Sequence, residues 1–401
     1  MSSGVFVAGV GVISSIGNNT AECLSSFRDG KAGMGDITML DTIYRGKMPV
    51  AEVKLDNAEL AARAGMTTDI PRTALLSMVA AREAIDDAAI PNFSLYRSGF
   101  ISANTTGGMD KTEDFFREFL YDNQKGKLKD VIHHECGTVT DLVADALGIH
   151  HYITTISTAC SSSANSIFLA ARLIKHNILD IAVAGGTDAL TRFTLNGFNT
   201  LMILDQEFCK PFDENRKGLN LGEGAGYVVL VSERLLENLQ KELYCELTGY
   251  CNANDAWHQT ASSPDGTGSF LAMEGALKKS GLNTSDISYI NLHGTGTNNN
   301  DIAEGTAIGR LFDPVFPKMS STKAFTGHTL GASGGLEAVF SALAIKHGII
   351  YPNIRLETPM KELSFIPERI FLENVPVKNV LSNSFGFGGN CSSLIFSKVA
   401  G

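Results

Sequence analysis

The sequence is short of positive charge. It has 33 lysines and arginines against 43 aspartates and glutamates, and its net charge at pH 7 is −10. A chain with this balance does not attract nucleic acid or an anionic membrane as a whole, so neither is expected as a partner. The sequence also lacks an uninterrupted apolar run of about 18 residues, as a membrane-spanning helix requires. Basic residues are absent before the first apolar run, at 5–12, which favours a strand over a signal peptide and predicts a cytoplasmic protein.

Paired cysteines are missing as well. The seven cysteines are scattered without a CxxC spacing, which argues against a disulfide framework and a zinc site and fits a reducing compartment. Proline is scarce at 11 residues, whereas glycine is common at 40. Hydrophobic residues make up 44% of the 401 positions, a globular composition that excludes disorder as the main state. This length suits two packed halves or one large α/β unit.

Short apolar runs bounded by turn residues alternate with helical patterns along the chain. This alternation predicts an α/β fold with largely buried sheets. The predicted strands are 5–12, 181–184, 226–231 and 287–292, and the predicted helices are 73–89, 164–174 and 335–346.

The chain also resembles itself. SIFLAARLIKHNI at 166–178 is similar to EAVFSALAIKHGI at 337–349, and AAREAIDDAAI at 80–90 is similar to AMEGALKKSGL at 272–282. Two similar pairs in the same order indicate a duplication. No low-complexity linker marks a join, so one fused unit is expected. The predicted halves are residues 1–245, which carry an extra insertion, and residues 246–401.

The segment STACSSSANSIF places Cys160 at the predicted start of a helix. The positive end of the helix dipole and free backbone N–H groups favour a thiolate there. A thiolate is the nucleophile that thioester exchange needs. The alternative is a buried structural cysteine, which is the interpretation of the other six.

In INLHGTGTNNNDIAE, His293 ends an apolar strand and enters a Gly/Thr turn. Thr295 and Thr297 alternate along that turn, so their hydroxyls could face one groove. Asp301 and Glu304 lie at the start of a predicted helix, where carboxylates suit the dipole. Helix capping is the alternative role for these two acids.

In STKAFTGHTLGASGGLEAVFSAL, His328 lies among glycines just before a helix that contains Glu337, and Lys323 precedes it on the same turn. A nearby cation lowers the pKa of an imidazole and keeps it neutral. A neutral histidine can donate a hydrogen bond to a developing oxyanion.

The segment LSNSFGFGGNCSSLIF is a glycine-rich loop around Phe385 and Phe387. It is either a hairpin with aromatic core anchors or a loop whose N–H groups face an anion while an aromatic ring covers a cavity. One cysteine and two histidines on separate glycine-rich turns are compatible with acyl transfer through a cysteine thioester. A hydrolase, or a fragment of a metal site, fits these residue types equally.

These four motifs, in this order, resemble the β-ketoacyl-[acyl-carrier-protein] synthases, the condensing enzymes of fatty acid and polyketide synthesis. The resemblance runs from VFVAGVGVISSIGNN through DIAVAGGTDAL and KPFDENRKGLNLGEGAGYVVL to NSFGFGGN. It implies the duplicated thiolase fold, an α/β fold layered α-β-α-β-α with two mixed five-stranded sheets.

The resemblance also implies roles for the matching residues. Cys160 matches the nucleophile that accepts the acyl chain. His293 and His328 match the pair that promotes decarboxylation of malonyl-carrier and stabilises the enolate. Lys323 matches the lysine that supports them, and Glu337 matches an acid behind them. Asp301 and Glu304 are expected to support the same site, although capping stays open for them.

The remaining expected roles concern substrate binding. The backbone N–H groups of Cys160 and Phe387 match the oxyanion hole, and Phe387 also matches the gating phenylalanine. Thr295 and Thr297 match the threonines that bind the pantetheine arm. The residues expected near the acyl group are Phe385, Thr106 and Phe198.

The implied reaction is decarboxylative Claisen condensation of an acyl thioester on Cys160 with malonyl-acyl carrier protein, giving 3-oxoacyl-acyl carrier protein. Fatty acid, polyketide and aryl polyene synthesis are the candidate pathways. No metal and no cofactor is expected, because the carrier protein brings the phosphopantetheine. The chain is expected to form a homodimer, or a heterodimer with a paralogue that lacks the cysteine.

Departures from the family pattern leave alternatives open. HGTGT resembles polyketide enzymes more than the HGTST form of housekeeping synthases, and GFGGNC replaces GFGGTN. A thiolase-like acyltransferase would normally use a second cysteine in a CxG turn, which the C-terminal segment lacks. The intact cysteine and histidines argue against a non-enzymatic chain-length subunit. A cysteine hydrolase would release free acid without forming a carbon–carbon bond.

Overall fold

A computed structural model describes residues 4–239 and 241–399. The described residues form ten strands and eleven α-helices. The strands are β1 (Val5–Ser14), β2 (Ser98–Ala103), β3 (Tyr152–Ile156), β4 (Ile181–Asp188), β5 (Gly224–Ser232), β6 (Cys245–Asn254), β7 (Tyr289–Asn291), β8 (Lys318–Ser320), β9 (Asn379–Phe385) and β10 (Asn390–Ser397). The helices are α1 (Thr20–Arg28), α2 (Asn57–Ala64), α3 (Arg72–Ala88), α4 (Met109–Tyr121), α5 (Cys136–Leu147), α6 (Ser162–Lys175), α7 (Arg192–Thr200), α8 (Thr267–Ser280), α9 (Asn298–Phe312), α10 (Lys323–Thr326) and α11 (Ser333–His347).

The predicted strands and helices are confirmed, with shifted ends. Helices predicted at 73–89, 164–174 and 335–346 correspond to α3, α6 and α11. The strand predicted at 287–292 is shorter than expected, because the paired register covers Tyr289–Asn291, with one further backbone hydrogen bond to a neighbouring strand from Ser288 and one from Leu292. Apolar periodicity therefore located these elements but not their hydrogen-bonded limits.

All ten strands form one mixed sheet, in the order β3-β2-β4-β5-β1-β6-β10-β9-β7-β8. The prediction of two separate five-stranded sheets was wrong. The physical reason is a short antiparallel pairing of β1 with β6, which joins Phe6 to Glu246 and Val7 to Cys245.

The order of strands repeats on either side of that junction. Reading outward, the first half runs β1, β5, β4, β2, β3, and the second half runs β6, β10, β9, β7, β8. The first, fifth, fourth, second and third strand of each half thus occupy equivalent positions, as a duplication requires. The division into residues 1–245 and 246–401 stays a prediction, and residues 1–3, 240, 400 and 401 lie outside the described residues.

Two helices lie between the two halves of the sheet. Helix α6 packs on β4 and β10, and α11 packs on β5 and β9. Helix α11 is buried on every side from Ser333 to Ile345, as an apolar helix inside a protein must be. The outer faces carry α3 against β1 and β5, and α8 against β6 and β10. Within the two described ranges, no helix has both the length and the apolar character needed to cross a bilayer.

Candidate active site

Cys160 lies in a tight turn that leads into α6. Ala159 has a φ of +54°, an unusual value for a residue with a Cβ atom, and such strain is common at functional sites. The Ser162 hydroxyl accepts a hydrogen bond from the Thr158 N–H at 2.8 Å and donates one to the Ala159 carbonyl. The predicted position at the start of a helix is therefore confirmed, and the turn presents the sulfur to a cavity.

The resting form of Cys160 is the thiol. Burial raises its pKa to about 11, although the Phe387 N–H and the Lys323 ammonium lower it in part. The predicted effect of the backbone N–H groups is present, since they lower the pKa of the thiol, but loss of hydration outweighs it.

Two backbone donors meet at the sulfur. The N–H groups of Phe387 and of Cys160 itself both interact with it. The loop reaches this position because residue 386 is glycine: a Cβ atom there would lie 3.0 Å from the Thr158 oxygen and 3.1 Å from the Cys160 nitrogen. The Phe387 ring stacks on Phe198, with ring centroids 5.9 Å apart.

His293 is fixed through the turn that follows β7. Glu304, on α9, accepts hydrogen bonds from the N–H groups of His293 at 2.9 Å and Gly294 at 2.8 Å. Asp301 accepts from the Gly296 N–H at 3.2 Å. The two acids therefore hold the turn that carries His293. Neither acts as a side-chain N-cap of α9, which has none.

A buried ion pair lies behind His293. The Lys323 ammonium contacts the Nδ1 atom of His293 at 3.4 Å and forms a short salt bridge with Glu337. Burial raises the pKa of Glu337 to about 7, while Lys323 lowers it in part. The Ser384 hydroxyl donates to the other Glu337 oxygen at 3.5 Å.

His328 contacts the nucleophile directly. Its Nε2 atom lies 3.1 Å from the Cys160 sulfur. Its Nδ1 atom accepts a hydrogen bond from the Leu330 N–H at 3.2 Å and lies 2.9 Å from the Ser333 hydroxyl. Leu330 has a φ of +53°, a second strained position beside the site.

The neighbours of the two histidines fix their tautomers. Nδ1 of His293 faces an ammonium and Nδ1 of His328 faces a backbone N–H, so both Nδ1 atoms act as acceptors. The remaining proton of each neutral ring is then on Nε2. Burial, with a smaller effect of Lys323, lowers the pKa of both rings well below its ordinary value. The predicted neutral state is confirmed, but burial rather than the cation is its main cause.

The ligand atoms of Cys160, His293 and His328 all lie within 4.8 Å of one another. Within the described ranges they are the one group of histidine, cysteine and acidic residues close enough together to hold a metal ion. The same three side chains are the ones available for acyl transfer, and the expectation of no metal stays a prediction.

The cavity next to the sulfur contains most of the predicted substrate residues but not all. Thr295 and Thr297, with their hydroxyls 2.9 Å apart, line it together with Phe385 and Phe387. Phe198 reaches it only through its stacking on Phe387. Thr106 does not line this cavity, because its hydroxyl is buried and donates to Asp188 at 2.8 Å, and its expected place near the acyl group stays a prediction.

Sequence reasoning missed several lining residues. Their signal was weak, since only the NNN run after HGTGT stood out as polar, and it had no assigned role. The cavity residues that were not predicted are Met202, Ile203, Lys217, Gly218, Leu219, Thr260, Ala261, Ser262, Asn298, Asn299, Asn300 and Gly386.

Comparison with known proteins identifies the family. Residues 2–235 match the β-ketoacyl synthase N-terminal domain, and residues 244–357 match the β-ketoacyl synthase C-terminal domain. The chain is 33% identical over 410 aligned positions to 3-oxoacyl-[acyl-carrier-protein] synthase 2 of Staphylococcus aureus, and the alignment covers 98% of each chain. It is 32% identical to the enzyme of the same name from Coxiella burnetii, again over 98% of each chain.

Solved structures agree. The ishigamide ketosynthase/chain length factor superposes with a TM-score of 0.92 at 30% identity, covering all of both chains. The ketosynthase ApeO, solved with its chain length factor ApeC from Xenorhabdus doucetiae, superposes with a TM-score of 0.84 at 29% identity. The superposition covers 99% of this chain and 98% of that one. The chain belongs to the β-ketoacyl synthase family. It is a condensing acyltransferase of fatty acid or polyketide synthesis with the α/β ketosynthase fold.

Proposed function

We propose that the chain lengthens an acyl group held on Cys160 by two carbons, using malonyl-acyl carrier protein as the donor. The observation that carries this proposal is the cluster of hydrogen-bond donors beside the Cys160 sulfur. Nε2 of His328 lies 3.1 Å from the sulfur, His293 belongs to the same cluster within 4.8 Å, and the N–H groups of Phe387 and Cys160 lower the pKa of the thiol. Acyl transfer and carbanion formation both develop negative charge on oxygen, and such donors stabilise it.

In the first step, the Cys160 sulfur attacks the carbonyl carbon of an acyl thioester. The developing oxyanion accepts hydrogen bonds from the N–H groups of Cys160 and Phe387. The carbon–sulfur bond to the carrier then breaks, and the departing thiolate takes up the proton that Cys160 lost. Because the resting group is a thiol, no charge accumulates in the buried site before substrate arrives.

In the second step, the thioester oxygen of the malonyl group accepts hydrogen bonds from Nε2 of His293 and His328. The carbon–carbon bond to the carboxylate breaks and carbon dioxide leaves. The electron pair of the broken bond stays on the remaining carbon and forms an enolate. The enolate carbon attacks the thioester carbonyl on Cys160. The carbon–sulfur bond breaks, the 3-oxoacyl product stays on the carrier, and the Cys160 thiolate regains a proton from water.

The phosphopantetheine arm of the carrier would enter along Thr295 and Thr297, whose hydroxyls line the cavity. This arm carries the malonyl group as a thioester, so we propose no resident cofactor and no metal. A carrier partner is supported by a solved relative, AntDE:AntF, which is described as a type II polyketide acyl-carrier protein in complex with its ketosynthase. A cytoplasmic location is also part of the proposal.

We further propose a homodimer. The edge strand β3 is half-exposed along its whole length, and α4 has no buried residue despite its three phenylalanines and one leucine. A heterodimer with a cysteine-less paralogue is the second candidate, favoured by the two relatives whose structures contain a chain length factor.

Intact-protein mass spectrometry tests the reaction. The wild type, mixed with acyl-carrier thioesters of several chain lengths, should gain one acyl group. Malonyl-carrier should then discharge it as a product two carbons longer. Cys160→Ala should gain no acyl group, and Cys251→Ala is the matched control because it removes a cysteine outside the cavity. Release of free acid without a longer product would favour a hydrolase instead.

A further inference from the structure

Asp188 is a buried carboxylate that the proposed reaction does not use. It ends β4, within the DIAVAGGTDAL motif, and is fully buried. A buried charge is costly unless hydrogen bonds replace its hydration, so the partners of this group indicate what it does.

Five donors surround the Asp188 side chain. One oxygen accepts from the N–H groups of Thr105 and Thr106, both at 2.9 Å, and from the Thr106 hydroxyl at 2.8 Å. The other oxygen accepts from the Thr105 hydroxyl and from the Gly331 N–H, both at 2.7 Å. The carboxylate therefore ties the segment after β2 to the turn after His328.

The Gly331 peptide is held from both sides. Its N–H bonds to Asp188, and its carbonyl accepts a short hydrogen bond from the Ser163 hydroxyl on α6, the helix that begins just after Cys160. A Cβ atom at residue 331 would lie 2.8 Å from the Asp188 carboxylate, which explains the glycine. The turn that carries His328 is thus fixed to both β4 and α6.

The residue before Gly331 controls the histidine. Leu330 holds its strained φ of +53° and gives its N–H to Nδ1 of His328. Strain of this kind persists only where the surrounding structure enforces it. The bond from Gly331 to Asp188 is the adjacent restraint.

We propose that Asp188 is a positioning residue for the condensing reaction, holding the turn that aims Nε2 of His328 at the Cys160 sulfur. This inference rests on the proposed function. Asp188 touches neither substrate cavity nor sulfur, so it acts through His328. A shift of about 1 Å in a catalytic group can lower a rate by roughly 100-fold, which gives the scale of the effect.

Asp188→Asn is the first test variant, because its amide N–H₂ would face donors only. Thr187→Val is the matched control: Thr187 is fully buried, lies on the opposite face of β4, and donates to the Thr73 carbonyl at 2.9 Å. Each change is made in the wild type and in His328→Ala. Thermal melting checks that each variant folds.

The first readout, the alkylation rate of Cys160 by iodoacetamide at pH 8, does not depend on the proposed function. Peptide mass spectrometry separates Cys160 from the other cysteines. Loss of the His328 hydrogen bond disfavours the thiolate, so Asp188→Asn should slow alkylation about tenfold in the wild type. In the His328→Ala background, Asp188→Asn should slow the alkylation of Cys160 by less than about twofold. Thr187→Val should change neither background by more than about twofold.

The second readout is malonyl-carrier decarboxylation. In the wild type, Asp188→Asn should lower kcat roughly 30-fold and leave KM within about twofold of its value. In the His328→Ala background, the same change should lower kcat by less than about a further threefold. Equal losses in both backgrounds, or an unchanged alkylation rate in folded Asp188→Asn, would overturn the positioning role. A wild type that alkylates as expected but never decarboxylates would instead refute the proposed function.

If Asp188→Asn does not fold, Thr105→Val replaces it. This change removes one hydroxyl from the oxygen that also holds Gly331. It should slow alkylation about threefold in the wild type and leave the rate in His328→Ala unchanged. Equal slowing in both backgrounds again contradicts the inference.

Discussion

At the scale of single residues, the site depends on buried ionisable side chains. Lys323 and Glu337 form a buried pair, and only Lys323 also touches a catalytic ring, through Nδ1 of His293. Breaking such a pair usually destabilises a protein because the remaining charge has no partner. The two functions of this pair, folding and fixing a tautomer, can therefore be separated.

Lys323→Met should lower the free energy of unfolding by about 3–5 kcal/mol. It should also lower the rate of malonyl decarboxylation by about 100-fold. The double variant Lys323→Met/Glu337→Gln should regain most of the stability, since it leaves no unpaired buried charge, but not the activity. Urea unfolding and carbon dioxide release measure the two effects. Recovery of activity together with stability would show that the pair acts only in folding.

Glu304 makes the stability of the catalytic turn depend on pH. Burial raises the pKa of this carboxyl to about 7 from an ordinary value of 4.5, although the N–H groups of Gly294 and His293 lower it in part. The folded protein therefore holds this proton more tightly than the unfolded chain. The resulting stabilisation is fully present below pH 4.5 and is lost as the pH rises through 7.

Glu304→Gln removes this titration. We subtract the free energy of unfolding of the variant from that of the wild type. This difference should decrease by roughly 3 kcal/mol as the pH rises from 4.5 to 8, because each unit of pKa shift is worth about 1.4 kcal/mol. Urea unfolding of both proteins at several pH values gives this difference. A difference that stays constant, or rises with pH, would contradict the assignment.

At the scale of elements, the central helix α11 approaches the sheet through glycine. A Cβ atom at Gly335 would lie 2.4 Å from the Gly226 carbonyl on β5, a contact that no side chain tolerates. Because Glu337 lies two residues further along α11, this close packing also places the ion pair.

Gly335→Ala should push α11 away from β5 and lower stability by about 1–3 kcal/mol, with a clear loss of decarboxylation. Gly309→Ala is the control, because Gly309 lies inside α9 with open space around its Cβ position. That change should be neutral or slightly stabilising, since alanine favours helices. Equal activity in the two variants would contradict the role of this contact.

Sequence reasoning reached different depths for different elements. The Ala-rich and apolar stripes located α3, α6 and α11, because burial imposes a helical period. Three-residue strands such as β8 carry no such period, and the two-residue pairing of β1 with β6 has no signature in either strand. The motif residues were recognised by their types and order. The cost of burying Cys160, and the link from Asp188 to the His328 turn, depend on contacts between segments distant in sequence.

At the scale of the whole molecule, the sheet of the described residues is continuous and ends in two edge strands, β3 with five residues and β8 with three. Strand β3 pairs with β2 on one side only. Open edges of this kind are usually covered, because their free N–H and carbonyl groups pair with other strands. Helix α4 lies in the same half and exposes Phe116, Phe119 and Leu120, an apolar face larger than isolated surface residues explain.

The proposed homodimer would cover this face with a second copy of the chain. Light scattering should therefore give twice the mass of one chain for the wild type, and Phe119→Asp should shift it toward the monomer, because a buried unpaired charge opposes association. Val315→Asp is the control, since it places the same charge on another exposed apolar residue, which follows α9. A wild-type monomer that dimerises only when mixed with a cysteine-less paralogue would replace the homodimer by the heterodimer, and a dimeric Phe119→Asp would exclude α4 from the interface.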